Sequence, residues 1–165
     1  ETMARVAREI ERDETHFKPM IDMDMVSVNH EITAQLARSA VRASTNLPVK
    51  YVVLDTKTGR TGRYLAAFRG RKTVMAVCYR LHAQRILALS YGVVPILRTQ
   101  ELSDKYHFLV DALEFIDQYR KLQDDDLMAI VGGSFGPDGG ASYLELADVR
   151  GIRRRNEMIA AQNKR

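Results

Sequence analysis

Cysteines and long apolar runs are nearly absent from this sequence, and each absence limits what the protein does. The one cysteine, Cys78, rules out an internal disulfide and any cysteine-rich metal site. Such sparse use of cysteine is typical of a reducing compartment, so we expect a cytoplasmic protein. No apolar run approaches the roughly 18 residues of a membrane-spanning helix, and we therefore expect no membrane partner.

Catalytic and metal-binding signatures are also missing. The four histidines form no ligand pair, and His107 with Asp111 is typical of a surface pair on a helix. Cys78 has no neighbouring base, which favours an inert buried thiol. Ser134 is not in the nucleophile-elbow context of a strand followed by a helix, although residues 132–136 match the letters G-x-S-x-G. We therefore expect a binding domain without a cofactor of its own, not a complete enzyme.

What the sequence does contain is enough apolar material for one folded domain. It has 165 residues, of which 45% are hydrophobic, so it can bury a core of ordinary size. It begins with Glu1 inside the helical pattern "ETMARVAREIERD". We therefore expect it to be a piece of a longer protein.

The positive charge is concentrated in two segments. Residues 56–72 carry six Lys and Arg and no acid, and residues 150–165 carry six against the single acid Glu157. The remainder is net negative, although the whole chain has a formal charge of +4. A nucleic-acid footprint over the whole protein is therefore disfavoured. An RNA-binding module that uses these two basic segments stays open as an alternative.

Short apolar runs alternate with helical patterns along most of the chain. The predicted strands are "KYVVLD" (50–55), "TVMAVCY" (73–79), "VVPIL" (93–97), "LMAIVGG" (127–133) and "SYLELADV" (142–149). The predicted helices are 2–12, 28–44, one ending near 68, 81–91 closed by Gly92, and the longest from 103 to 122. This alternation predicts βαβ crossovers.

The fold class follows from those crossovers. We expect an α/β protein, a three-layer α/β/α sandwich with a mostly parallel five-stranded sheet. The last strand should run antiparallel, because the loop before it is too short for a helical crossover. Pro95 lacks an N–H and should lie on a strand where a sheet hydrogen bond is dispensable.

The stretch "TKTGRTGR" (56–63) is the first candidate site. It follows a buried strand and opens a helix, so its N–H groups and the helix dipole face the carboxyl edge of the sheet. Gly59 and Gly62 would let the backbone approach an anion, and threonine hydroxyls and cations would bind it. The stretch matches no nucleotide-binding fingerprint, so a helix cap with solvated cations is the competing interpretation.

The glycine-rich loop "GGSFGPDGGAS" (132–142) is the second candidate. It also follows a strand at the carboxyl edge, and it is long enough to close over a ligand. A plain hairpin connection explains the same residues equally well.

The order of these motifs resembles the C-terminal domain of pyruvate kinases. "ITAQLARSAV", "YVVLDTKTGRTGRYLAAFRGRKTVMAVCY", "AQRILALSYGVVPIL" and "DLMAIVGGSFGPDGGASYLEL" follow that domain in order. The resemblance implies four parts: residues 1–13, a remnant of the last helix of the catalytic barrel; 14–26, a linker; 27–149, the α/β domain; and 150–165, a basic tail. A disordered or surface-docked terminus is the ordinary interpretation of that tail, and a short amphipathic helix is the alternative.

The resemblance also implies a regulatory role. The first loop would bind one phosphate of an effector such as fructose 1,6-bisphosphate, and the second would close over its other end. The residues implied for the phosphate are Thr56, Lys57, Thr58, Gly59, Arg60 and Thr61. Those implied for the second loop are Ser134, Phe135, Gly136, Pro137, Asp138, Gly139 and Gly140.

Two further implications concern the ligand and the parent protein. The second loop carries only an acid, Asp138, where relatives often have a cation, so a monophosphate is an alternative effector. The parent would transfer phosphate from phosphoenolpyruvate to ADP in glycolysis, with Mg²⁺ and K⁺ in its barrel. This domain would contact that barrel and sister subunits of a homotetramer. A sugar-phosphate or nucleotide enzyme in its own right is the remaining alternative.

Overall fold

The structure is a computed structural model that describes residues 2–12, 32–98, 107–133 and 140–162. Its helices are α1 Thr2–Arg12, α2 Ile32–Asn46, α3 Arg60–Ala67, α4 Leu81–Ala88, α5 His107–Tyr119 and α6 Val149–Gln162. Its strands are β1 Val49–Thr56, β2 Val74–Cys78, β3 Val93–Leu97, β4 Leu127–Gly133 and β5 Ala141–Asp148.

All five strands form one sheet in the order β3-β2-β1-β4-β5. The first four are parallel, and β5 pairs antiparallel with β4. The central strand β1 pairs through Leu54 with Ala76 of β2 and with Val131 of β4. The predicted α/β class and the antiparallel last strand are therefore confirmed.

Helices cover both faces of this sheet and make three layers. On one face α2, α3 and α4 bury small and branched side chains, among them Ala37, Leu65 and Leu87. On the other face α5 and α6 pack Phe108 and Ile152 against the sheet. The helices divide between the two faces because each crossover is right-handed. The connections from β1 to β2 and from β2 to β3 move toward one edge of the sheet, whereas the connection from β3 to β4 moves back toward the other edge.

Pro95 lies on β3, at an edge of the sheet. In the order of strands, β3 has β2 as its only neighbour. A residue without an N–H is tolerated on such a strand because one side of it makes no sheet bonds. The prediction made for Pro95 is confirmed.

Two helices end earlier than predicted. Helix α4 ends at Ala88 and not at 91, because the N–H groups of Leu89 and Ser90 donate to carbonyls three residues back and tighten the turn. Helix α5 ends at Tyr119 and not at 122, because the Asp117 carboxylate accepts the N–H of Leu122 at 2.9 Å. With 13 residues it is also shorter than α2, which has 15, and its predicted start at 103 lies outside the described residues.

The basic C-terminal segment forms a helix that joins the core. Val149 and Ile152, in the first turn of α6, are buried against α5 and the sheet. The packed structure therefore continues past residue 149, where the sequence pattern ended the domain. Of the two alternatives for the tail, the structure has the helix over Val149–Gln162.

Ion pairs hold the cations of α6 against the domain. Arg153 donates to Asp117 and to Asp124, each at 2.9 Å. Arg155 donates to Glu145 of β5 with both terminal nitrogens of its guanidinium. These acids are distant in sequence from α6, so charge counting along the chain did not reveal the pairing.

Helix α1 lies outside both core clusters. The predicted helix 2–12 is present, but its apolar residues Met3, Val6 and Ile10 are all exposed. Among the residues that the structure describes, no helix has the length and apolar character needed to cross a membrane.

Truncation of Ile152 tests whether α6 belongs to the core. Replacing Ile152 with Ala should lower the free energy of unfolding by about 2–4 kcal/mol, because the side chain is fully buried. Met158→Ala, on the same helix but 67% exposed, should change it by less than about 0.5 kcal/mol. Urea unfolding followed by circular dichroism measures both, and equal effects would contradict the packing of α6.

Candidate functional site

The candidate site lies at the carboxyl edge of the sheet, between β1 and β4. These strands are neighbours, and the helix after β1 and the helix before β4 cover opposite faces. Strand order thus reverses between them, which opens a crevice where α/β proteins commonly bind ligands. Both loops singled out in the sequence begin at this edge, one after Thr56 and the other after Gly133.

The first loop is shaped by the last residue of β1. Thr56 is buried, and its hydroxyl oxygen accepts the N–H of Gly59 at 2.9 Å. Gly59 has φ of +81°, a left-handed conformation that favours glycine, and it caps the start of α3. The strand is therefore converted into a helix within three residues.

The start of α3 offers the donors that an anion needs. Thr61 and Gly62 lie in its first turn, where N–H groups have no carbonyl partner inside the helix. The N–H of Arg60 makes a long contact of 3.4 Å with the Thr58 hydroxyl. Lys57 and Arg60 add charge to the positive end of the helix dipole. The arrangement can hold one phosphate group.

Gly62 also has a packing role. A Cβ atom at this position would lie 2.8 Å from Leu87 of α4, so the absence of a side chain lets α3 approach α4 closely. Packing against Leu87 is thus a second reason for a glycine here, beside the first-turn N–H that Gly62 contributes. Gly59 is the glycine that shapes the loop.

The second loop lies mostly outside the described residues. This applies to Ser134, Phe135, Gly136, Pro137, Asp138 and Gly139. At its ends, a Cβ on Gly133 would meet the Gly140 carbonyl oxygen at 2.0 Å, and a Cβ on Gly140 would meet the Thr33 hydroxyl at 2.2 Å. Close packing of a hairpin therefore accounts for these two glycines without a ligand.

Asp55 is a polar residue of the site that the sequence interpretation did not single out. It precedes Thr56 in β1, and burial raises its pKa from 3.8 to about 6, although its own backbone N–H and the charge of Lys57 oppose the rise. An acid at the end of the apolar run "YVVLD" was the available signal. Its carboxylate is costly to ionise where it lies.

The other sequence candidates show little sign of activation. Cys78 is fully buried, and burial raises the pKa of its thiol to about 11, which keeps it protonated and unreactive. Within the described ranges no group of three or more His, Cys, Asp or Glu is placed to hold a metal ion. His107 begins α5, four residues before Asp111.

A mainly apolar groove of about 350 Å³ lies at the opposite, amino edge of the sheet. It is lined by Tyr51, Thr73, Met75, Val94, Phe115, Ile116, Tyr119 and Arg120. The groove is lined by one cation, Arg120, and by no helix N-terminus, so the loop after β1 is better suited than this groove to bind a phosphate.

Comparison with known proteins gives one family for most of the chain. The family described as "Pyruvate kinase, alpha/beta domain" matches residues 34–147. This range contains all five strands up to Ala147, and both candidate loops.

Several curated proteins match over a similar range. A pyruvate kinase of Lactobacillus delbrueckii subsp. bulgaricus is 28% identical over 116 residues, which is 70% of this chain and 20% of that protein. One of Borreliella burgdorferi is 25% identical over 150 residues, covering 89% and 31%. One of Methylorubrum extorquens is 28% identical over 151 residues, covering 90% and 31%. The chain thus spans between a fifth and a third of the length of these relatives.

The raised pKa of Asp55 predicts an unusual pH dependence of stability. The folded state resists ionisation, so the wild type should lose stability as pH rises from about 4 to about 6. The Asp55→Asn variant should not lose stability over this pH range. At pH 7 its free energy of unfolding should therefore exceed that of the wild type by roughly 1–3 kcal/mol. Urea unfolding between pH 4 and pH 8 measures the difference.

Asp126 provides a control of opposite sign. Burial pushes its pKa up, but hydrogen bonds from the Lys50 ammonium and the Gln123 N–H outweigh that effect and lower it. Asp126→Asn should therefore destabilise the protein at pH 7, with the effect shrinking as pH falls through the lowered pKa. Parallel pH profiles for both variants would contradict the account of Asp55.

Proposed function

Since this chain belongs to the pyruvate kinase alpha/beta domain family, we propose that it is a regulatory domain that binds a phosphorylated effector. The binding site is the loop Thr56–Thr61, at the crevice between β1 and β4. The effector is a sugar phosphate, such as fructose 1,6-bisphosphate or a monophosphate. Binding serves a reaction carried out elsewhere in the parent protein.

The observation that supports this proposal is the construction of the loop. Thr56 fixes Gly59 at the start of α3, so that the first-turn N–H groups follow the strand end within a few residues of the cations Lys57 and Arg60. A hydrogen bond to a charged group contributes about 1.5–3 kcal/mol, so a few such donors suffice for one phosphate. A helix cap alone would not require this concentration of cations beside a buried strand.

The role in the parent protein follows from the relatives. They are named pyruvate kinase, and this chain corresponds to only part of their length. We propose that the parent transfers phosphate from phosphoenolpyruvate to ADP in the cytoplasm, with Mg²⁺ and K⁺ bound in a separate catalytic domain. Contacts with that domain and with sister subunits of a homotetramer would pass effector binding to the active site.

The alternative of an RNA-binding module with both basic segments is disfavoured for α6 by its ion pairs, and RNA affinity that falls steeply with salt would support it. Arg150, Arg153 and Arg155 of α6 all form ion pairs with acids of the same chain. Charges that are already paired release little additional energy on meeting a phosphate backbone. The alternative of an independent enzyme is tested by a coupled assay of the chain with phosphoenolpyruvate and ADP, in which we expect no turnover.

Arg60→Ala tests the proposed site, with Arg63→Ala as the matched control. Both cations are exposed and belong to α3, and both changes alter the net charge equally. Arg60 lies at the first helical position, so its loss should weaken binding of fructose 1,6-bisphosphate or fructose 6-phosphate about tenfold or more. The loss of Arg63 should weaken it less than threefold. Isothermal titration calorimetry gives both values.

Thr61 supplies a second test, because it is buried in the first turn of α3. Thr61→Glu should abolish binding through charge repulsion, and Thr61→Ala should weaken it; thermal unfolding checks that each variant is folded. Unchanged affinity in Arg60→Ala and in a folded Thr61 variant would rule out this loop as the site.

A further inference from the structure

One row of side chains crosses the sheet at the edge where the proposed phosphate site lies. Val53 and Val77 belong to the core cluster on the α5 face, and strand alternation places Asp55 on that face as well. Asp55 pairs with Val77 on one side. On the other side Leu54 pairs with Val131, so the next positions in register are Asp55 and Gly132.

Gly132 leaves a gap in this row that Tyr143 of β5 fills. The two residues are paired in register, and a Cβ on Gly132 would lie only 2.2 Å from the Tyr143 hydroxyl oxygen and 2.3 Å from Cζ. The phenol ring therefore lies across β4, with its hydroxyl end above the Gly132 backbone. The face of the crevice opposite the phosphate loop thus carries the Asp55 carboxylate and, one strand away, a phenolic hydroxyl.

Asp55 and Thr56 are consecutive residues, so their side chains leave the same strand end on opposite faces. Thr56 shapes the loop on the α3 face, and Asp55 points to the α5 face. A ligand that lies over the end of β1 with its phosphate in the loop therefore meets the Asp55 carboxylate with the rest of its structure.

We propose that Asp55 is the specificity-determining residue of this site and accepts a hydrogen bond from a hydroxyl group of a phosphorylated sugar. The inference rests on the proposed phosphate site and adds to it the residue that selects a sugar phosphate over other phosphates. A carboxylate only accepts hydrogen bonds, and it repels a phosphate. It therefore disfavours a bare phosphate and favours a ligand that brings hydroxyl donors along with its phosphate.

Burial of Asp55 agrees with this role. Its raised pKa shows that the protein donors around it do not compensate the loss of water. A ligand hydroxyl would add a donor to the backbone hydrogen bond and the Lys57 charge that already favour the ionised Asp55. Hydrogen bonds to a charged acceptor discriminate strongly between ligands that have the donor and ligands that lack it.

The experiment compares two phosphate esters that differ in hydroxyl groups. Fructose 6-phosphate and methyl phosphate are titrated by calorimetry into the wild-type chain and into Asp55→Leu. The wild type should bind fructose 6-phosphate at least about tenfold more tightly than methyl phosphate. In Asp55→Leu the preference should fall to less than about threefold, with methyl phosphate bound more tightly than before because the repulsion is gone.

Two controls separate the possible failures. Asp125→Leu removes an equal charge from the exposed turn before β4, at the opposite edge of the sheet, and should leave the preference intact. Asp55→Asn keeps an acceptor of similar shape and should retain part of the preference, which also checks that the effect is not a loss of folding.

The outcomes distinguish this inference from the proposed function. If both esters bind, depend on Arg60 and show the same ratio in wild type and Asp55→Leu, the role of Asp55 is overturned and the phosphate site stands. If neither ester binds, or binding is indifferent to Arg60→Ala, the phosphate site itself fails and the inference fails with it.

Discussion

The hydrogen bond from the Gly59 N–H to the Thr56 hydroxyl turns the end of a buried strand into the start of a helix, and the position of the proposed phosphate-binding loop depends on it. Thr56 is fixed because β1 is paired on both sides, with β2 and with β4. Gly59 can follow because it tolerates a positive φ. The cations and first-turn N–H groups are then carried on a rigid central element, which is what a preorganised anion site requires.

The glycines of the two loops divide into distinct physical roles. Gly59 adopts the positive φ that the turn requires, whereas Gly62 lets α3 pack closely against α4 because it has no side chain. The ring of Tyr143 packs where a side chain on Gly132 would lie, and the Thr33 hydroxyl packs where a side chain on Gly140 would lie. Of the four, Gly59 is the one whose backbone conformation shapes the candidate loop. Glycine content at a sheet edge is therefore weak evidence for a ligand until the packing around each glycine is known.

Much of the fold was predictable because buried parallel strands appear as continuous apolar runs, and the strand beginning at Val93 was placed without error. The position of the loop 56–59 between β1 and α3 was predicted too, since a strand followed by Thr, Gly and cations leaves few arrangements. The C-terminal helix was underestimated because three consecutive arginines hide its two core positions, Val149 and Ile152. The acids that pair with those arginines lie on α5, β5 and the turn before β4, and such tertiary pairing has no sequence period. Asp55 was overlooked for a similar reason, since its burial comes from neighbouring strands.

The central proposal is that the loop at the end of β1 binds a phosphorylated ligand. The most direct measurement is a ¹⁵N–¹H NMR titration of the chain with fructose 6-phosphate. We expect the amide chemical shifts of residues 55–62 to change until the site is saturated. The amide of Gly132, across the crevice, should also shift, while the amides of α6 should not. Shifts confined to residues 149–162, or at the amino edge around Thr73 and Tyr119, would contradict it.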